Sequence, residues 1–305
     1  MLEIGIRLHD TRPGTLRERL TYAREQGFTT VHLAMSKAVD GFRMGDAPAL
    51  LTEELAGEVR GALADTGMRC AVLGCYQNLA TPDPEEYART VEIYRAHLRF
   101  GKWIGAEVVG TETGAPNKAY ATEPACFTEE SLALFIERLR PVLETAAQVG
   151  EPLAIEPVCR HIVSTPARCR RVLEAYPGEE LRVILDTVNL LTPDNAADYA
   201  DIVAESIRLF GGRISVLHMK DFTLRPGEKQ VHSQACGTGC MDYRPLLACA
   251  VEKDLPMTLE DTVPENAEAA RLCLALRSKC SEHQPKRLKG INRQAIRHQP
   301  AAGLS

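Results

Sequence analysis

Four short apolar runs in this chain each end in a side chain able to hold a metal ion or move a proton. They are "PLAIEPV" with Glu156, "RVILDTV" with Asp186, "ISVLHMKD" with His218, and "MTLED" with Glu260. Ionised side chains are seldom buried unless something opposes their charge. Three carboxylates and one imidazole brought to one place repel each other unless a cation joins them. Such an oxygen-rich set with one nitrogen suits a hard or borderline divalent ion: Mn²⁺, Mg²⁺, Co²⁺ or Zn²⁺. The absence of a thiolate from the set argues against a structural zinc site.

The elements that must position these groups repeat along the chain. Eight apolar runs are bounded by turn residues. The first four are "EIGIRL", "TVHLAM", "CAVLGCY" and "AEVVGTE", and the four named above complete the series. Helix-like stretches separate them, including "TLRERLTYAREQGF", "EEYARTVEIYRAHLRFGKWIG" and "EESLALFIERLRPVLETAAQVG". Gly27, Gly67, Gly105 and Gly150 close such stretches in the manner of helix C-caps. Alternating strands and helices imply parallel strands joined by right-handed crossovers. Eight units and no GxGxxG after the first strand favour a closed (β/α)8 TIM barrel over an open sheet.

In such a barrel chemistry gathers at the C-terminal ends of the strands. Two residues before each candidate lie Ala154, Ile184, Val216 and Thr258, which strand alternation sends into the cylinder. Ile155, Leu185, Leu217 and Leu259 have the opposite parity and should face the helices. Register therefore carries all four polar groups to one rim, from four consecutive strands.

The chain has 305 residues and a net charge of −5. Residues 1–279 read as a single barrel domain carrying −9, and residues 280–305 as a basic, flexible tail carrying +4. An acidic body gives no reason to expect nucleic acid as a partner. No apolar run approaches a membrane span, and the start of the chain does not read as a secretory signal. The ten cysteines then read as reduced thiols of a cytoplasmic protein. Cys236 and Cys240 form a CxxxC in a glycine-rich loop, a poor spacing for a metal or redox pair.

"AIEPV", "ILDTVNLL", "VLHMKD" and "TLED" resemble the Glu, Asp, His, Glu metal site of the xylose-isomerase-like barrel superfamily. Within it the chain most resembles the sugar phosphate isomerase/epimerase family, which includes ketose 3-epimerases, hydroxypyruvate isomerase and inosose dehydratase. "GIRLHD", "LGCYQNLATPD", "VGTETG" and "GTGCMDYRPLL" add to the likeness, which spans residues 4 to about 260. The resemblance implies one divalent metal held by Glu156, Asp186, His218 and Glu260, with Glu156 and Glu260 also moving protons. It implies a small sugar, sugar phosphate or polyol-derived substrate, and it leaves a homo-oligomer open.

The expected chemistry is proton removal next to a carbonyl. The ion polarises the carbonyl and stabilises an enediolate, and the second glutamate returns a proton. Return to the opposite face of the same carbon gives epimerisation, and return to the adjacent carbon gives isomerisation. Expulsion of a β-hydroxyl gives a dehydratase of the inosose or dehydroshikimate type, the runner-up.

Candidate substrate contacts are Asn189, His161, Lys220, Arg225, Glu112, Asn78 and His9. Asn189 departs from the His found at that position in some ketose epimerases. Lys220 has two readings, an ion pair with Asp221 or a partner of a metal ligand. His232 and Gln234 are further guesses on the loop after strand seven, and Asp242 falls near a helix N-cap. The superfamily also holds endonuclease IV, a three-zinc phosphodiesterase, but the histidines here are too few and the body too acidic for it. A non-catalytic ligand-binding barrel is the distant alternative; binding alone does not require two flanking acids.

Overall fold

The structure is a computed structural model that describes residues 2–224, 228 and 230–282. Eight parallel strands close into a barrel. They are β1 (Ile4–Arg7), β2 (Thr30–Leu33), β3 (Arg69–Gly74), β4 (Val108–Glu112), β5 (Leu153–Glu156), β6 (Leu181–Asp186), β7 (Ile214–Met219) and β8 (Met257–Leu259). Hydrogen-bonded order follows chain order, and β8 returns to β1 through Ile4↔Met257 and Ile6↔Leu259. The expected (β/α)8 barrel is the observed fold.

Most intervening helices start on a side chain that accepts a backbone N–H. Thr15 and Glu18 form a reciprocal capping box, and Thr52, Asp83, Thr128 and Thr165 cap four further helices. Three of these helices end on Gly67, Gly105 and Gly150, each at a left-handed φ of 64–72° that a side chain would strain.

Two apolar clusters bear out the alternation. Val72, Val108, Ala154, Ile184 and Val216 cluster inside the cylinder. Ile155, Leu185, Leu217 and Leu259 belong to the larger core between strands and helices. Gly110 has no side chain because a Cβ there would meet Val72 at 2.6 Å and Ile184 at 2.8 Å. The interior is thus packed up to the rim, and only the rim is free to bind.

After β7 a two-stranded ribbon, Asp221–Thr223 with His232–Gln234, lies outside the barrel ladder. The buried carboxylate of Asp221 fastens it by accepting from Phe222 N, Gly237 N, Met241 N and the Tyr243 hydroxyl. Trp103 is partly buried against the main core. The last helix, Ala267–Glu282, extends past residue 279, where the barrel domain was expected to end. The remaining tail, 283–305, lies outside the described residues.

Candidate active site

The barrel register sets the four expected groups side by side. Asp186 closes β6 directly opposite His218 on β7, and Thr258 on β8 opposes the same histidine. Glu156 closes β5 opposite Glu112 on β4. Glu260 follows β8 by one residue, its backbone N–H donating to Met219 O. Asp261 then adopts a φ of 53°, which turns the chain off the rim and is a conformation Asp tolerates better than most residues.

The other three side chains converge on His218. His218 Nδ1 is 3.3 Å from Glu156 Oε2 and 3.2 Å from Glu260 Oε1. Two triads hold their donor atoms within 4.8 Å of one another: Glu156–Asp186–His218, and His32–His218–Glu260. Sequence reasoning missed His32, although it is the last inward polar residue of β2 and obeys the same parity rule as the others. Lys220, two residues beyond His218, obeys it too. Its ammonium lies 2.9 Å from Asp186 Oδ2 and 2.9 Å from Glu260 Oε2, and donates to Asn189 Oδ1 at 3.2 Å. It therefore does not make the local ion pair with Asp221 that chain proximity suggested. Asp221 spends its oxygens on backbone N–H groups and Tyr243.

Second partners fix the carboxylates. Asn189 Nδ2 donates to Glu156 Oε1 at 2.6 Å, and Asp186 Oδ1 accepts from Val188 N and Asn189 N at 3.0 Å each. Arg7, at the end of β1, lies 3.5 Å from Glu260 Oε2 and also meets Asp10 and Asp261.

The site is short of positive charge. Burial works against a charged His218, yet Glu260 and Glu156 raise it to about 9. Burial raises Asp186 to about 6 against the pull of Lys220. Glu260 is held well below the usual carboxylate range; burial opposes this, and His218 and Lys220 outweigh it. Where a cation is lacking, a proton is drawn onto the imidazole. His218 Nδ1 and His32 Nδ1 are buried without a hydrogen-bond partner, and Asp186 Oδ2 is met by the Lys220 ammonium at 2.9 Å. Convergent oxygen and nitrogen donors with unspent lone pairs fit a divalent metal ion, so these residues can hold one.

A cavity of about 430 Å³ opens above these groups. His9, Glu112, Asn189 and Lys220 line it as expected, together with Tyr76 and Arg160, which were not anticipated. Burial, with Glu156 nearby, raises Glu112 to about 7.

Other expected contacts are not at the cavity wall. Asn78 donates to Ala115 O and Asn117 O and accepts from Ala80 N and Ala115 N; it staples the loops after β3 and β4 and has no capacity left for substrate. His161 sits behind Glu112, 3.5 Å from its carboxylate and against the Tyr120 ring. Gln234 bonds Thr223 within the ribbon, and His232 is half-exposed beside Glu228. Asp242 accepts from Arg244 N at the start of helix Arg244–Lys253, where the sequence had placed it. Arg225 lies outside the described residues. Cys236 is buried and Cys240 exposed, and neither enters a metal-competent group among the described residues.

A parallel barrel with acids and imidazoles ringed at its C-terminal mouth defines the structural class. The family model for the xylose isomerase-like TIM barrel matches residues 20–278, and the chain belongs to that family. A comparison with curated proteins found no match.

Solved structures share the fold at low identity. The 3-keto-D-glucoside 4-epimerase YcjR from E. coli, in its apo form, is 16% identical with a TM-score of 0.69, over 90% of this chain and 100% of that one. An L-ribulose 3-epimerase is 19% identical with a TM-score of 0.68, over 93% of this chain and 100% of that one. A xylose isomerase-like TIM barrel protein from Mycobacterium smegmatis in complex with magnesium is 17% identical with a TM-score of 0.66, over 92% of this chain and 97% of that one. Among the described residues no helix is long and apolar enough to cross a membrane.

Proposed function

We propose that this protein is a divalent-metal-dependent isomerase or epimerase of a small sugar or sugar phosphate, working by proton abstraction next to a carbonyl. Glu156, Asp186, His218 and Glu260 hold the metal, and Glu156 and Glu260 transfer the protons. The observation that carries the reading is the approach of both glutamates to one imidazole nitrogen, at 3.3 and 3.2 Å, beneath a mouth cavity of about 430 Å³. Epimerases among the structural neighbours agree with it.

Glu156, Asp186, His218 and Glu260 would hold a divalent ion there, which would supply Lewis acidity toward a substrate carbonyl. Glu156 and Glu260 stand on strands three positions apart around the barrel, so they face the bound sugar from different sides. One removes the α-proton and the other returns a proton, a division that acid–base pairs achieve with about 10²–10⁴-fold effect. Asn189 holds the Glu156 carboxylate in one orientation, and Lys220 and Arg7 hold that of Glu260.

A dehydratase acting on the same site stands second. Loss of a β-hydroxyl needs an acid beside the leaving oxygen, and the Lys220 ammonium at the rim is such a donor.

The test is solvent exchange. The protein is incubated in D₂O with Mn²⁺, Mg²⁺, Co²⁺ or Zn²⁺ and a panel of ketohexoses, their phosphates and inososes. Mass spectrometry should find deuterium beside the carbonyl of at least one member, and Glu260→Gln should abolish it while metal stays bound. Retained exchange in that variant removes Glu260 from the chemistry, and no exchange with any member and any metal counts against the reading as a whole.

A further inference from the structure

His32 is 2% exposed, and its Nδ1 has no hydrogen-bond partner. Burial without a partner is costly for a polar nitrogen, so its lone pair or proton must be spoken for. The ring is held on both sides. It stacks on His218 with centroids 5.3 Å apart and planes 17° from parallel. Its Nε2 lies 3.2 Å from the Tyr76 hydroxyl. Gly74 makes the space, since a Cβ there would come within 2.8 Å of Nε2. Nδ1 is left facing Glu260 Oε1 at 3.6 Å, the same oxygen that faces His218 Nδ1 at 3.2 Å.

We infer that His32 is a fifth protein donor to the metal ion at the barrel mouth, turning the expected three-oxygen, one-nitrogen set into one with two imidazoles. The inference rests on the proposal that a divalent ion binds there. Metal-bound histidines generally give their second N–H to a partner that fixes tautomer and orientation. Tyr76 is placed to accept from His32 Nε2–H, which leaves the Nδ1 lone pair toward Glu260.

Spacing agrees with this assignment. Neighbouring donors of a five-donor set around one ion stand roughly 2.9–3.6 Å apart, given bonds of about 2.0–2.1 Å. The three contacts of this cluster are 3.2, 3.3 and 3.6 Å. Imidazole favours zinc and cobalt over magnesium and manganese, whereas carboxylate alone does not. The second ring therefore sets a preference for Zn²⁺ or Co²⁺.

X-ray absorption on the zinc-loaded wild-type protein reads the donor set without any variant. Two imidazoles per zinc are expected, and a count of one overturns the inference by making His32 only a hydrogen-bond partner of Glu260. Titrations of Zn²⁺ and Mn²⁺ into wild type and His32→Gln provide the second measurement. The variant should lose about tenfold or more in Zn²⁺ affinity, with Mn²⁺ affinity changing far less. Equal losses for both ions, or no loss, overturn the inference. A wild-type protein that takes up no divalent ion overturns it together with the metal reading, while normal uptake with one imidazole removes His32 alone.

Discussion

Asn189 Nδ2 donates to Glu156 Oε1 at 2.6 Å, and this one bond decides which oxygen Glu156 turns toward His218. Replacing Asn189 with Leu frees the carboxylate to rotate and leaves Lys220 without one of its acceptors. Loss of such an orienting partner typically lowers metal affinity by about 10–100-fold. Competition with a fluorescent chelator should show that drop in Asn189→Leu with the melting temperature little changed. Unaltered affinity would mean that the amide serves the substrate alone.

Metal should also stabilise the fold. Three acids and two imidazoles are held together in the native rim but dispersed in the unfolded chain, so the ion favours the folded state. At a free concentration of 100 times Kd the gain is about 2.7 kcal/mol. Calorimetric scans with Zn²⁺ against scans with EDTA should show the higher melting temperature with metal, and Glu156→Ala should largely erase the difference.

His97 is wholly buried in helix Pro84–Ile104, where its Nδ1 bonds Ile93 O and its Nε2 has no partner. Burial pushes it down to about 4. Above pH 6.5 the ring is neutral in both folded and unfolded chains and pH has no hold on it. Between 6.5 and 4 the unfolded chain binds a proton that the folded chain refuses, so stability falls as pH falls. Urea titrations with EDTA present, over pH 6.5–4.5, should show a slope shallower by about 1 kcal/mol per pH unit in His97→Gln. Identical slopes would mean that the ring is protonated inside the fold.

Glu151 presents the opposite case. It begins the segment into β5, is 3% exposed, and has one carboxylate oxygen without a partner. Burial raises it to about 8 despite Lys102. The folded chain therefore keeps a proton that the unfolded chain releases above pH 4.5, and stability declines as pH climbs toward 8. Glu151→Gln should melt several degrees higher than wild type at pH 8.5 and within a degree or so of it at pH 4.5. A variant that melts lower at both pH values would show that the ionised form is held by a contact.

Asp221 accepts four hydrogen bonds in a buried setting. Asp221→Ala strands the N–H groups of Phe222 and Met241 and the Tyr243 phenol, while Gly237 N keeps the Tyr243 oxygen; each lost partner costs about 1–3 kcal/mol. Urea denaturation should show a loss of at least about 3 kcal/mol, and limited proteolysis should cut first within 221–241.

The alternation of apolar and polar residues made the barrel and its rim legible before any coordinates. Ala154, Ile184 and Val216 point inward, so Glu156, Asp186 and His218 must as well. The same rule, one pleat past His218, agrees with Lys220 at the rim, and applied to β2 it picks out His32. "TVHLAM" hides its histidine inside an apolar stretch, whereas the acids and His218 each close a run. Asn78 shows the limit of such reading. Its position after β3 fits a substrate contact, but three of the four backbone groups that claim its amide come from a loop distant in sequence, and nothing in the local pattern announces them.

β8 is only three residues long, and Glu260 comes after its final rung, whereas Glu156 is woven into β5 opposite Glu112. The two acids are thus unequal in freedom. One is locked in the wall of the cylinder, and the other hangs from its hem by a single backbone link to Met219 and by its ionic neighbours. The short last strand therefore leaves the placement of Glu260 to its ionic neighbours, whereas the ladder itself sets that of Glu156.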